Sequence, residues 1–334
     1  MDKEQVIQMK EECLFPDSCR NSAFFETHIS WIVLTDHYAF KVKRPVKLPF
    51  VDFSTIEKRH YYCRQELKLN RRLAPDMYLG VIPVTKSLST EKPGRKNEII
   101  DYAVQMKRMD NDKEMHKLLA DSKVTEKHLE RLAEKIAEFH KNTRVVKHAF
   151  DTTGMIDEFS DINNVLEGDS ENHFIPADYK EIVMGCIDKS GKFLNTNRSL
   201  LNERVINGYH RDCHGDMNAT NIFLYDDPVI FDCIEFNEDF RFIDVLNEIA
   251  FLCVDLDFYG LSEHSSFFVK IYMQAFGLKE KDMPEPLFNF YKCYRANIRA
   301  KVTLLSLKED PDDKSKKEDA KEYIRLMQSY SDHF

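Results

Sequence analysis

Glycine is the residue whose placement most restricts the folds open to this chain. The 334 residues include only 10 glycines, at positions 80, 94, 154, 168, 185, 191, 208, 215, 260 and 277, and no two are two, three or five apart. GxGxxG and GxxxxGK both require such spacings, because the backbone must approach a phosphate closely and only glycine leaves room for it. A Rossmann fingerprint and a Walker A loop are therefore both excluded, and any phosphate must be held by other donors. The length leaves room for two cores of ordinary size and is long for one compact domain, so two lobes are expected.

Charge and cysteine usage exclude further classes. The 48 basic and 57 acidic residues give a formal net charge of −9, with both signs interspersed along the chain. A protein that binds nucleic acid by neutralising phosphates needs the opposite balance, so no nucleic-acid partner is expected. The eight cysteines (13, 19, 63, 186, 213, 233, 253 and 293) include no CxxC pair, and several stand in apolar runs such as 249–256. They read as reduced core residues of a cytoplasmic protein. The opening Met1-Asp2-Lys3-Glu4-Gln5 lacks the apolar stretch of a signal peptide, and the longest uncharged apolar run, 249–254, is far too short to span a bilayer. No membrane partner is expected.

The pattern along the chain changes near residue 110. Before it, 23–25, 29–34 and 38–42 are β-rich runs separated by short polar turns, which predicts an antiparallel meander. Ser54-Thr55-Ile56-Glu57 reads as a capping box that opens a helix running through Arg72 until Pro75 ends it. Two more strands are expected at 78–84 and 101–109. Beyond 110 the period becomes helical, with Thr125 opening a segment that carries Leu129, Leu132, Ile136 and Phe139. Helices are expected at 244–258 and 288–305. The exception is a hairpin, 221–225 and 229–232, turned by Asp226-Asp227-Pro228. The run 308–320 reads as a solvated charge tract with no chemistry.

The stretch that carries chemistry is His214-Gly215-Asp216-Met217-Asn218-Ala219-Thr220-Asn221, with Asp232 at the end of the hairpin. Phosphoryl transfer needs a carboxylate to take the acceptor proton, and an oxygen ligand plus a second carboxylate to hold Mg²⁺ against the nucleotide phosphates. Asp216, Asn221 and Asp232 satisfy those roles in order. His210-Arg211-Asp212 imitates the protein-kinase triplet, but five residues after Asp212 stands Met217, which cannot ligate Mg²⁺, whereas five after Asp216 stands Asn221.

This segment resembles the catalytic loop of the aminoglycoside phosphotransferase and choline kinase group of the kinase-like fold. The phrases Glu26-Thr27-His28-Ile29-Ser30-Trp31, Leu69-Asn70-Arg71-Arg72-Leu73-Ala74-Pro75 and Phe231-Asp232-Cys233-Ile234-Glu235-Phe236-Asn237 are similar to a poorly characterised bacterial aminoglycoside phosphotransferase-like branch, over roughly residues 20–305. In that branch the position of Asn218 is more often His. The resemblance implies an α+β, two-lobed protein-kinase-like fold: an N-terminal lobe of antiparallel sheet plus helix (1–109) and a mainly helical catalytic and substrate lobe (110–334). It also implies ATP and Mg²⁺ as cofactors and a small-molecule hydroxyl as acceptor. A protein Ser/Thr kinase and a non-catalytic nucleotide-binding regulator are the alternatives.

The kinase fold places a Lys on its third strand, in an Ala-x-Lys context, paired with a Glu on the next helix. Ala39-Phe40-Lys41 and Glu66 fit, while Lys43 shares the strand face with Lys41 and competes with it. Glu66 also reads as a surface charge or an i,i+4 partner of Asn70. Glu57 competes with it but is accounted for by the capping box. The resemblance implies that Met106-Lys107-Arg108-Met109 meets adenine, and that the turn Thr27-His28-Ile29-Ser30 covers the phosphates. His214 reads as an organiser of the loop. Asp244 suits the positive end of a helix and, by resemblance, braces the catalytic loop. Glu248 and Asp255 read as a solvated face or as partners of a cationic acceptor. Arg295 and Arg299, four apart on one helical face, read as salt-bridging residues or as the seat of an anionic substrate group.

Overall fold

The β-rich runs of the first hundred residues pair with one another in the computed structural model, which describes residues 1–85, 99–167 and 174–334. In chain order the elements are α1 (Lys3–Glu11), β1 (Ala23–Glu26), β2 (Ser30–Leu34), β3 (Tyr38–Lys43), β4 (Lys47–Leu48), β5 (Val51–Asp52), α2 (Ile56–Asn70), β6 (Tyr78–Thr85), β7 (Ile99–Lys107), α3 (Met115–Ala120), α4 (Glu126–Asn142), α5 (Thr152–Ser160), α6 (Ile162–Glu167), α7 (Ala177–Thr196) and α8 (Arg198–Ile206). There follow β8 (His210–Asp212), β9 (Ile222–Phe223), β10 (Val229–Ile230), β11 (Phe242–Asp244), α9 (Val245–Phe258), α10 (Ser262–Phe276), α11 (Glu285–Leu307) and α12 (Lys314–Ser331). Two units emerge. The first comprises Met1–Glu114, Asn221–Tyr225 and Val229–Phe240, and the second comprises Met115–Thr220, Asp226–Pro228 and Arg241–Phe334.

The first unit is built on a five-stranded antiparallel sheet of order β1-β2-β3-β7-β6. Side chains alternate between its faces. Phe40 and Val42 pack with Trp31, Val33 and the α1 residues Val6 and Met9. The opposite face carries Ala39, Val104 and Met106, which pack with Cys63 of α2 and with Tyr78. Lys41 and Lys43 belong to this second face by the same alternation. Both faces are covered, so β3 is buried almost throughout instead of alternating in exposure. The helix α1 that covers the first face was not expected from the sequence. Its nine residues bury only Val6 and Met9, and its start is set by Asp2, whose carboxylate accepts the Gln5 N–H while Gln5 Oε1 accepts the Asp2 N–H.

Two expectations for this unit are corrected. Thr55, not Ser54, caps α2: its hydroxyl accepts the Lys58 N–H, whereas Ser54 donates to Asp52 Oδ1 at 2.6 Å. Position N3 is therefore Lys58, and Glu57 closes no capping box. The cysteines are not all free, because Cys13 and Cys19 form a disulfide with their Cα atoms 5.7 Å apart. The loop after α1 turns back on itself there, as Asp17 between them accepts hydrogen bonds from Thr35 Oγ1 and His37 N. The other six cysteines are buried and form no disulfide among the described residues.

The second unit is helical apart from the short β8–β11 pair, which sets Asp244 opposite His210 and Phe242 opposite Asp212. α9 lies in the middle of its core, with 245–256 buried without interruption. Phe159, Leu166, Val183, Val254, Leu304 and Tyr323 bring α5, α6, α7, α9, α11 and α12 into one apolar cluster. The run 308–320 is corrected here. Asp313 caps α12 through the Lys316 N–H, and Ala320, Tyr323, Ile324 and Met327 are buried at helical spacing, so its second half opens a packed helix. Among the described residues no helix is long and apolar enough to cross a membrane.

Candidate active site

Five charged side chains of the first unit meet at one place. α2 presents Arg59, Cys63, Glu66 and Asn70 from a single buried face, and Glu66, completely buried, is neither a surface charge nor a side-chain partner of Asn70. Its two oxygens lie 3.0 Å from Lys41 Nζ and 2.7 Å from Lys43 Nζ. Lys41 also pairs with Asp232, and Lys43 with Glu235. Burial alone would drive Glu66 toward neutrality, but the two ammonium groups hold its carboxyl below the ordinary range. Burial likewise opposes the charge on Lys41, which Asp232 and Glu66 nevertheless hold well above the usual lysine value. Glu235 is the exception, since burial pushes it up despite Lys43.

The two competing lysines differ in their surroundings. Lys43 has no exposed surface and is closed in by two carboxylates. Lys41 lines a cavity of about 230 Å³ in the same unit. Met106, Lys107 and Met109 line it too, together with apolar side chains including Ile32, Leu34, Ala39 and Phe231. Asp232 stands at its edge with its side chain 41% exposed, the most accessible carboxylate of the cluster.

The hairpin β9–β10 fixes Asp232 from the main chain outward. Ile222 pairs with Ile230, and the Phe231 N–H donates to the Asn221 carbonyl at 3.0 Å, which brings Asn221 and Asp232 to the same end of the hairpin. The backbone beyond is held by the Asp232 N–H on the Tyr78 hydroxyl and by the Cys233 N–H on Asn70 Oδ1. Asp232 takes φ of 63°, a left-handed conformation that short polar side chains tolerate better than others and that only surrounding contacts maintain. An amide and a carboxylate oxygen are the hard donors that Mg²⁺ takes, so this pair fits such an ion. The turn 27–30 expected to cover the phosphates is closed within itself. Thr27 and Ser30 close their own turn, with the Thr27 hydroxyl spent on Ser30.

Asp216 belongs to the second unit, on a loop whose main chain is tied down by buried carboxylates. Glu248 accepts the N–H groups of His214 (2.5 Å) and Gly215 (2.7 Å), and Asp255 accepts that of Ala219 (2.7 Å). Gly215 sits at φ of 90°, where a side chain would be strained. The Asp216 N–H reaches His214 Nδ1, in line with a loop-organising histidine. Asn218 donates to Asp216 Oδ1 at 2.9 Å, orienting the carboxylate. Asp212 instead pairs with Arg241, in β8 and away from the loop's turn.

The bracing residues are the ones sequence reasoning misassigned. Asp244 caps α9 through the Leu246 N–H, as expected at the positive end of a helix, and pairs with Arg204. Glu248 and Asp255 are fully buried instead of forming a solvated face. His140, together with His214 and the loop's hydrogen bonds, holds Glu248 at a pKa of about 2 against the rise that burial alone would cause. The available signal was their position: two acids inside an otherwise apolar run, 245–256, have no water to face and need partners.

No family model matches the chain. It is 30% identical over 278 residues to an uncharacterized protein of Mycobacterium tuberculosis and equally to one of Mycobacterium bovis, a match that takes in 83% of this chain and 53% of the relative. The chain thus spans about half the length of the curated relatives it matches. Among solved structures it is similar to a choline/ethanolamine kinase family protein of Mesorhizobium loti (12% identity, TM-score 0.54, covering 98% of this chain and 94% of that one). It is also similar to aminoglycoside 2'-phosphotransferase-IIIa in its GDP complex (14% identity, TM-score 0.52, covering 98% and 99%). At such identities the likeness establishes the fold. The chain has the kinase-like fold of these phosphotransferases, and the resemblance carried by its catalytic-loop motif holds at that level.

Proposed function

We propose that this chain is an ATP- and Mg²⁺-dependent phosphotransferase acting on a hydroxyl group of a small molecule. The observation that carries the reading is Lys41, which is paired with Glu66 and Asp232 and lines an apolar cavity beside Met106 and Met109. In this reading the apolar wall takes the adenine ring, and Lys41 neutralises phosphate oxygens at the cavity's charged end. Asn221 and Asp232 hold Mg²⁺, which supplies charge neutralisation to the transferred phosphoryl group. Asp216, oriented by Asn218, accepts the proton of the acceptor hydroxyl. The fold shared with choline kinase-like and aminoglycoside phosphotransferase structures supports the reaction class.

The test is ATP turnover with Mg²⁺ in the presence of a metabolite extract, followed by mass shift of the acceptor. Asp216→Asn is expected to keep nucleotide affinity while kcat falls roughly 10²–10⁴-fold, the range for a positioned base. Asp212→Asn, which disturbs ion pairs with Arg241 and Arg144, should leave turnover near wild type. An essential Asp212 with a dispensable Asp216 would sink the assignment.

A further inference from the structure

Arg295 carries a charge that no ion pair among the described residues meets. Its guanidinium is 96% buried, since the residue is 4% exposed, yet its hydrogen bonds go to neutral oxygens only: Nε to the Asn247 carbonyl and Oδ1, and Nη1 to the Gly215 carbonyl at 3.2 Å. Nη2 is buried with no hydrogen-bond partner, and among the described residues no carboxylate lies within ion-pair distance of this side chain. A neutral amide could satisfy the same carbonyls. What a guanidinium adds is a buried cation; the Phe251 and Tyr294 rings, 4.7 and 5.6 Å from it, offset part of the cost, and an anion at the open nitrogen would offset more. The contact with Gly215 places that cation against the residue that precedes Asp216.

Arg299, one turn further along α11, repeats the pattern on the other side of the loop. Its Nε faces Asp255 Oδ1 at 3.3 Å and donates to the Tyr323 hydroxyl at 3.0 Å, while Asp255 Oδ2 accepts the Ala219 N–H. No hydrogen bond among the described residues uses its Nη1 or Nη2, and the side chain is 24% exposed. Thus Arg295 meets the loop at residue 215 and Arg299 meets it through Asp255 at residue 219, bracketing Asp216. Asp216 is near enough to contribute to the raised pKa of Arg299, after Asp255 and Tyr323.

We propose that Arg295 and Arg299 receive an oxyanion group, carboxylate or phosphate, on the acceptor whose hydroxyl is presented to Asp216. The forked terminal nitrogens of two arginines suit two-oxygen recognition of such a group. The acceptor class is then a hydroxy acid or a phosphorylated polyol, not an amine. This inference rests on the phosphotransferase reading, because it names the substrate class of that site.

Binding can be measured without turnover, which separates the two ideas. Calorimetric titration of the full chain with glycerate, glycerol 3-phosphate and glucuronate, against the neutral glycerol and glucose and the cationic choline, should show binding by at least one anion more tightly than its neutral counterpart. Which anion wins distinguishes a carboxylate from a phosphate. Arg295→Met should weaken that binding roughly 10–100-fold, as expected for losing charge-assisted hydrogen bonds, and abolish the preference for charged over neutral acceptor. Arg299→Met, at a partly exposed site, gives the same readout if Arg295→Met fails to fold. The proposal is overturned if no anion binds wild type better than its neutral counterpart, or if both variants keep the preference. Transfer of phosphate to choline with no response to anions would overturn it while leaving the phosphotransferase reading intact. Anion binding without any turnover would do the reverse.

Discussion

Glu66 in the first unit and Glu248 in the second are both carboxylates with no exposed surface, and they are kept ionised by opposite means. Glu66 is held by two ammonium groups on β3, side chains far from it in sequence. Glu248 is held by the buried His140 ring together with backbone N–H groups of one short loop. The first arrangement is a network of charges that a bound anion or cation can join, because Asp232 and Lys41 lie on the cavity. The second fixes the shape of a main chain, whatever occupies the site. One region is built to exchange partners and the other to hold a geometry.

Breaking the ionic network at its closed end should have the largest effect. Lys43→Met leaves Glu235 without a cation and Glu66 with only Lys41, in a place water does not reach. Removing one partner of a buried pair costs about 3–5 kcal/mol, which urea unfolding would register as a shift in midpoint. A loss near zero would mean that the network does not hold this unit together.

The open end should respond differently. Lys41→Met leaves Glu66 still paired with Lys43, and Asp232 is exposed enough to be solvated, so stability should change less than in Lys43→Met. Nucleotide affinity is the sensitive quantity, with Kd expected to rise roughly 10–100-fold for the lost charge-assisted contacts. Equal nucleotide effects at both lysines would erase the distinction between the closed and open ends.

Much of this was legible in the sequence where a local pattern carried it. Strands β1–β3 are β-rich runs set between polar turns, Thr125 and Asp244 cap their helices, and Asp226-Asp227-Pro228 turns the hairpin, so these elements lie close to their expected places. Asp216, Asn221 and Asp232 stood out through spacing alone. What was not legible depends on distant packing. α1 buries two residues and has almost no pattern of its own until the sheet face is there to receive it. Glu235 sits next to a motif that drew attention to Asp232, and only the fold shows that it meets Lys43. Glu248 and Asp255 were visible as acids in an apolar helix, but their partners, the loop's backbone N–H groups with the distant His140 and Arg299, carry no local sequence signature. The disulfide joins cysteines whose spacing matches no familiar motif.

The smallest effect, and the one that most sharpens the contrast, is expected at Glu248. Glu248→Gln keeps the shape but replaces one acceptor oxygen with an NH₂ group, which faces a backbone N–H instead of receiving it. The loss should be about 1–3 kcal/mol, since a buried donor is left unmet but no buried cation is stranded. Its pH dependence identifies the cause. Folding lowers this carboxyl from its ordinary 4.5 to about 2, so its stabilisation is fully present above 4.5 and disappears as the pH falls toward 2. The wild-type advantage over Glu248→Gln should therefore be constant near neutrality and shrink across that acidic window in paired urea titrations. An advantage that stays level down to pH 2 would mean that the brace acts through packing, and that its charge contributes nothing to the loop carrying Asp216.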